Sequence, residues 1–132
     1  MFGICYKAFD TFKYFSNASA ACGKDGGTLA MPRDAETNSF LASLKSVKGN
    51  AFWIGLHDQR KEGSFEWVDG SALGTYNNWR PGEPNDRGGN QDCVLYLVFF
   101  LHEDKWNDFP CDIYAGFICQ AVPGTSYKRT IS

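Results

Sequence analysis

What this 132-residue chain lacks narrows its reading before any motif is considered. It has no excess of positive charge: 13 Lys and Arg against 15 Asp and Glu leave a formal charge of −2, without the basic footprint that nucleic acid requires. It has no apolar run of the roughly 20 residues a membrane helix needs; the longest apolar stretch, Val94 to Leu101, is of strand length. Histidine is scarce, and neither His57 nor His102 stands with a Cys or Ser in a nucleophile–base pattern, so nothing points to an enzyme. No Cys-X-X-Cys pair occurs among the cysteines at 5, 22, 93, 111 and 119, which argues against a thiolate metal site.

An even subset of those cysteines held as disulfides, in a secreted or extracellular protein, is the favoured reading. Four bridging cysteines allow three connectivities, and Cys5, nearest the terminus, is the natural odd one. Met1-Phe2-Gly3-Ile4 is too short for a signal peptide, so the chain reads as a mature or excised domain, with any partner of Cys5 lying upstream.

Aromatic residues, by contrast, abound: eleven Phe, six Tyr and four Trp. The length fits one domain with a substantial core, expected over residues 1–121 with a polar, mobile tail at 122–132. Phe2 to Phe12 has strand character, with Tyr6 and Phe12 facing inward. A short helix is expected from about Phe15 to Lys24, ended by Gly26-Gly27. Pro32 and Asp34 open a second helix, with Asp34 as N-cap, and Thr37, Phe40, Leu41 and Leu44 recur at helical spacing as its buried face. Strands are expected at Ala51 to Leu56, Phe65 to Val68, Cys93 to about Phe100, Trp106 to Cys111 and Ala115 to Gln120. The fold class is α+β: two early helices, then a mostly antiparallel sheet carrying a long loop. That loop, from about Ser71 to Gln91, is rich in Gly, Asn, Pro and Asp, and a structureless segment of about 20 residues is usually functional or disordered.

The loop also carries the chemistry. Glu83-Pro84-Asn85 and Gln91-Asp92-Cys93 lie in or beside it, and Trp106-Asn107-Asp108 follows. A hard cation such as Ca2+ takes about six to eight oxygens from carboxylates, Asn or Gln carbonyls, backbone and water. These stretches supply such oxygens with a cysteine beside each, Cys93 and Cys111.

At these residues the chain resembles a C-type lectin domain, over about residues 5 to 121. The features that carry the resemblance are Cys22 in the first helix, Trp53-Ile54-Gly55-Leu56, the Glu83-Pro84-Asn85 triplet, Trp106-Asn107-Asp108 and the closing Cys93, Cys111 and Cys119. The resemblance implies that Cys22 pairs with Cys119 and Cys93 with Cys111, and that Cys5 matches one half of an N-terminal bridge. It implies a sugar-binding Ca2+ held by Glu83, Asn85, Asn107 and Asp108, with Gln91 at a fifth ligand position. A cis bond is expected before Pro84. It implies an auxiliary, structural Ca2+ at Asp58, Glu62, Asp86 and Asp92. The bland alternative for this second group is a solvated acidic cluster braced by Arg60, Lys61 and Arg87.

By the same resemblance, the Glu-Pro-Asn order is expected to go with equatorial 3- and 4-hydroxyls, as in mannose, fucose, N-acetylglucosamine or glucose, whereas in the family Gln-Pro-Asp goes with galactose. The departure is Gln91, where the family pattern has Glu. It removes one negative charge and leaves an NH2 that donates rather than accepts. Trp79 is a candidate for stacking on a sugar ring, and Trp106 is read as core. Asn17-Ala18-Ser19 is an N-glycosylation sequon. The implied function is calcium-dependent binding of glycans on cell or microbial surfaces, in innate recognition, by a possible homo-oligomer. The competing class is a protein- or surface-binding module on the same scaffold with altered sugar selectivity, galactose included.

Overall fold

The computed structural model describes residues 3–44, 51–84, 90–96 and 105–122. The expected tail beyond residue 122 and the apolar residues Phe99, Phe100 and Leu101 lie outside the described residues.

Among the described residues nine elements follow in chain order: β1 (Cys5–Lys13), α1 (Phe15–Lys24), β2 (Thr28–Leu29), α2 (Ala35–Leu44), β3 (Phe52–His57), β4 (Glu66–Trp67), β5 (Cys93–Tyr96), β6 (Trp106–Phe109) and β7 (Ala115–Ala121). The main path across the sheet is β1-β7-β3-β5-β6, with β2 on β7 and β4 on β3. All these pairings are antiparallel except β3 with β7.

Because successive strand residues point to opposite faces, the sheet carries two apolar layers. Trp53, Leu95, Phe117 and Cys119 pack on one face with Phe15, Ala18 and Cys22 of α1. Phe52, Ile54, Val94, Tyr96, Trp106 and Ile118 pack on the other with Leu41 of α2. The α1 residues that face inward, Phe15, Ala18 and Cys22, recur at positions i, i+3 and i+7, the stripe one helix face presents. In α2, Asp34 acts as N-cap, its Oδ1 accepting from the Thr37 N–H at 2.8 Å.

Two disulfides fasten these layers. Cys22–Cys119 ties α1 to β7 across 97 residues, and Cys93–Cys111 ties the start of β5 to the turn after β6 across 18. In the chain-entropy model the longer loop is worth about 4 to 5 kcal/mol and the shorter about 3. Cys5 is a free thiol at the start of β1.

Two expectations of side-chain direction are corrected. Phe12 is 49% exposed rather than inward, because the pairing of β1 with β7 slips between Phe9 and Lys13 and a slip turns side chains to the other face. Phe40 is 50% exposed and Thr37 only half-buried. Leu41 is buried as expected and Leu44 packs partly buried on the core, but the other fully interior position of α2 belongs to Asn38. Asn38 is 1% exposed, and its Oδ1 accepts from Tyr96 Oη at 2.6 Å and Trp106 Nε1 at 2.8 Å. A polar residue fills a core position there because it satisfies two buried donors. The two-residue β2 was not expected, and β4 is shorter than the expected Phe65–Val68.

Candidate functional site

Strand register gathers the candidate residues at one edge of the sheet. His57 at the end of β3 pairs with Cys93 at the start of β5, and Cys93 pairs with Phe109 at the end of β6. Asp58 follows β3 and Gln91 and Asp92 lead into β5, while Asn107 and Asp108 lie within β6, opposite Leu95 and Val94. Gly55 keeps β3 close to its neighbours: a Cβ there would lie 2.8 Å from Val68 Cγ2 and 2.9 Å from Leu29 O.

One cluster forms around Asp58. Its backbone N–H donates to Asp92 O at 2.9 Å, and its Oδ2 accepts from Gly63 N–H at 2.8 Å. Carboxylate oxygens of Asp58, Glu62 and Asp92 all lie within 4.8 Å of one another. Asp58 Oδ1 and Asp92 Oδ1 are buried without a hydrogen-bond partner among the described residues. Burial pushes the Asp58 carboxyl up, the Gly63 N–H pulls it down, and neighbouring Asp92 adds to the rise. Arg60 does not brace this cluster; its Nε and Nη2 are paired with Glu66. Asp86, the fourth expected member, lies outside the described residues, as does Arg87.

A second cluster forms where the long loop meets β6. Trp106 N–H donates to Asn78 O at 2.8 Å, and Arg80 N–H donates to Trp106 O at 2.9 Å, so the loop runs beside β6. Lys105 Nζ adds a bond to Asn78 Oδ1 at 3.0 Å. The chain then turns through Gly82, at φ +89°, into a cis Glu83–Pro84 bond. Asn107 Nδ2 donates to Glu83 Oε2 at 3.1 Å. Asn107 Oδ1 is buried and has no hydrogen-bond partner among the described residues. Asp108 follows on β6, 1% exposed, and Gln91 is half-buried beside Asp92. Asn85 lies outside the described residues.

Trp79 is half-buried and packs edge-on against Trp106 and Phe65, at centroid distances of 5.5 and 4.9 Å. Trp106 is fully buried, also meeting Trp67 edge-on. His57 packs near Phe15 at 6.0 Å, and its Nδ1 accepts from Gln59 N–H at 3.2 Å.

A buried acceptor oxygen without a donor is costly, about 1–3 kcal/mol each, and a buried carboxylate more so. Both clusters hold such atoms, and their donors are carboxylates and a carboxamide. That is the ligand chemistry of a hard divalent cation such as Ca2+ and a poor match for a soft one. The residues therefore fit calcium. The support that Asn38 gives Trp106, next to Asn107, was missed by the sequence reading; an Asn beside Thr37 in a helix carries no pattern that marks it as buried.

The family model described as Lectin C-type domain matches residues 11–121. Collectin-10 of Gallus gallus is 44% identical over 110 residues, covering 82% of this chain and 38% of that protein. An alpha-N-acetylgalactosamine-specific lectin of Patiria pectinifera is 36% identical over 126 residues, 89% of this chain and 74% of that protein. The chain thus spans about two-fifths of the length of the collectins it matches. Among solved structures, the carbohydrate-recognition domain of mouse scavenger receptor C-type lectin superposes with a TM-score of 0.84 at 28% identity, covering 92% of each chain. The carbohydrate-recognition domain of cow CD23, determined in the presence of a GlcNAc2Man3 oligosaccharide, gives 0.81 at 35% identity, covering 91% of this chain and 88% of that one.

Proposed function

The chain belongs to the family of lectin C-type domains, carbohydrate-binding modules rather than enzymes, and from that premise we propose that it binds glycans through a calcium site at Glu83, Asn85, Gln91, Asn107 and Asp108. The observation that carries this is Asn107 Oδ1, buried beside Glu83 with no hydrogen-bond partner among the described residues. Bound Ca2+ would supply a hard centre that takes adjacent hydroxyl oxygens of a sugar in exchange for water.

The side chains then divide the hydrogen bonding. A carboxylate such as Glu83 accepts the proton of a hydroxyl, and the Asn107 amide donates to a hydroxyl oxygen. In the proposal Asp58, Glu62, Asp86 and Asp92 hold a second, structural Ca2+. Any ion that binds only the folded loop stabilises it by RT ln(1 + [L]/Kd), about 2.7 kcal/mol at a hundredfold excess over Kd.

The sugar class proposed is that of equatorial 3- and 4-hydroxyls: mannose, fucose, N-acetylglucosamine or glucose. The Glu83-Pro84-Asn85 order supports it, as does the mannose-containing oligosaccharide named with cow CD23. A second reading, galactose-type selectivity, is favoured by the N-acetylgalactosamine specificity named for the Patiria lectin. A single shallow polar site binds at about millimolar Kd, near −4 kcal/mol, and several linked sites raise the effective concentration. A secreted homo-oligomer acting on cell or microbial surfaces in innate recognition follows from this reading. No described helix is long and apolar enough to cross a membrane.

A glycan array run with and without EDTA tests the proposal. Chelator-sensitive signal on mannose-, fucose- or glucose-type glycans supports it. Chelator-sensitive signal confined to galactose-type glycans supports the second reading, and binding that ignores the chelator overturns both.

A further inference from the structure

The sequence holds one Asn-X-Ser/Thr triplet, Asn17-Ala18-Ser19, and it lies on α1, which contributes no residue to either oxygen cluster. We propose that Asn17 is an N-glycosylation site, carrying an asparagine-linked oligosaccharide when the chain is made in a secretory pathway.

The structure gives Asn17 no other task. Asn is a poor residue for a helix interior and is favoured at caps, where its oxygen accepts a backbone N–H. Asn17 is the third residue of α1, not its cap: the N-cap is Tyr14, which makes no side-chain cap bond. Its side chain is exposed and makes no hydrogen bond among the described residues. The neighbouring Ala18 is fully buried, so the helix turns its small residue to the core and its sequon asparagine to solvent. An oligosaccharide there extends away from the packed face without displacing it.

The surroundings also suit a sugar. Tyr14, three residues earlier, stacks with Tyr114 at 4.6 Å, and Tyr114 is 67% exposed. An exposed aromatic face of this kind gives the first sugar ring an apolar surface to cover.

Folding order favours the modification as well. α1 is fastened by the Cys22–Cys119 bond to a strand 97 residues later in the chain. During synthesis the sequon therefore emerges long before β7, the strand that α1 is bonded to, so it can be modified before the domain folds as a unit. In the transfer, a C–N bond forms between Asn17 Nδ2 and C1 of the first sugar of a lipid-diphosphate-linked oligosaccharide. The C1–O bond to the diphosphate breaks, and the amide proton leaves with the lipid diphosphate.

The test is secretion of the full chain from cultured animal cells behind an added leader, followed by peptide-N-glycosidase treatment and gel electrophoresis. One downward mobility step is expected. It should be absent in both Asn17→Gln and Ser19→Ala, and the modified fraction should rise in Ser19→Thr. Two variants guard against a folding defect in either. A secreted, disulfide-bonded wild-type protein that the glycosidase leaves unshifted overturns the proposal, and so does a shift that persists in Asn17→Gln.

Discussion

Replacing Asn38 by Ala removes the acceptor shared by two of the most deeply buried aromatic residues. Tyr96 and Trp106 are both fully buried, and each donates to Asn38 Oδ1, at 2.6 and 2.8 Å. A buried donor deprived of its acceptor costs about 1–3 kcal/mol, so the two together cost about 2–6 kcal/mol. Water entering the vacated space recovers part of this, which puts the expected loss near 3 kcal/mol. That is a large fraction of the roughly 5–15 kcal/mol that holds a domain folded. Urea unfolding followed by tryptophan fluorescence should show a lower midpoint at unchanged slope. Phe40→Ala, on the same helix, is the control: Phe40 is half exposed, and its loss should cost less than Asn38→Ala despite the larger side chain. If Asn38→Ala costs under about 1 kcal/mol, or no more than Phe40→Ala, the buried hydrogen-bond argument fails.

Three further perturbations follow. Gln91→Glu restores a negative charge at the proposed ion site and should tighten calcium binding in isothermal titration; an unchanged isotherm contradicts the ligand role of Gln91. Asp58→Asn relieves a buried carboxylate beside Asp92, so the metal-free protein should melt higher while the gain in Tm on adding CaCl2 shrinks; a lower melting point without calcium together with an undiminished gain refutes the proposed cluster. The Asp69 carboxyl is held down to about 2 by hydrogen bonds from Ser71 and Arg33. A depressed acid stabilises the fold above its unfolded pKa of about 3.9 and loses that contribution as pH falls toward about 2. Asp69→Asn should therefore be slightly destabilising at pH 7, by under about 1 kcal/mol for so exposed a pair. The gap to wild type should close on acidification, and a pH-independent gap rules this out.

Much of the fold was legible because its signals are local. Asp34 two residues after Pro32, the Gly26 break and the apolar run from Phe52 to Leu56 each act within a few residues. The two disulfides followed from resemblance, not from spacing. Phe12 and Phe40 were misread because their directions depend on tertiary events: a slip in the β1–β7 register, and the demand of Tyr96 and Trp106 for an acceptor in the core. Helical spacing cannot report that demand, since the donors stand 58 and 68 residues away. At the site, residue types were readable from the motifs. The pairing of Arg60 with Glu66, which leaves the Asp58 cluster unbraced by that cation, was not readable, because both acidic groups lie within reach of Arg60 along the chain.

The most direct test is a crystal grown with CaCl2 and methyl α-mannoside. The account predicts one ion seated against Glu83, Asn107 and Asp108, with two adjacent sugar hydroxyls completing its shell. Water alone at that position, with the saccharide absent or bound elsewhere, would contradict it.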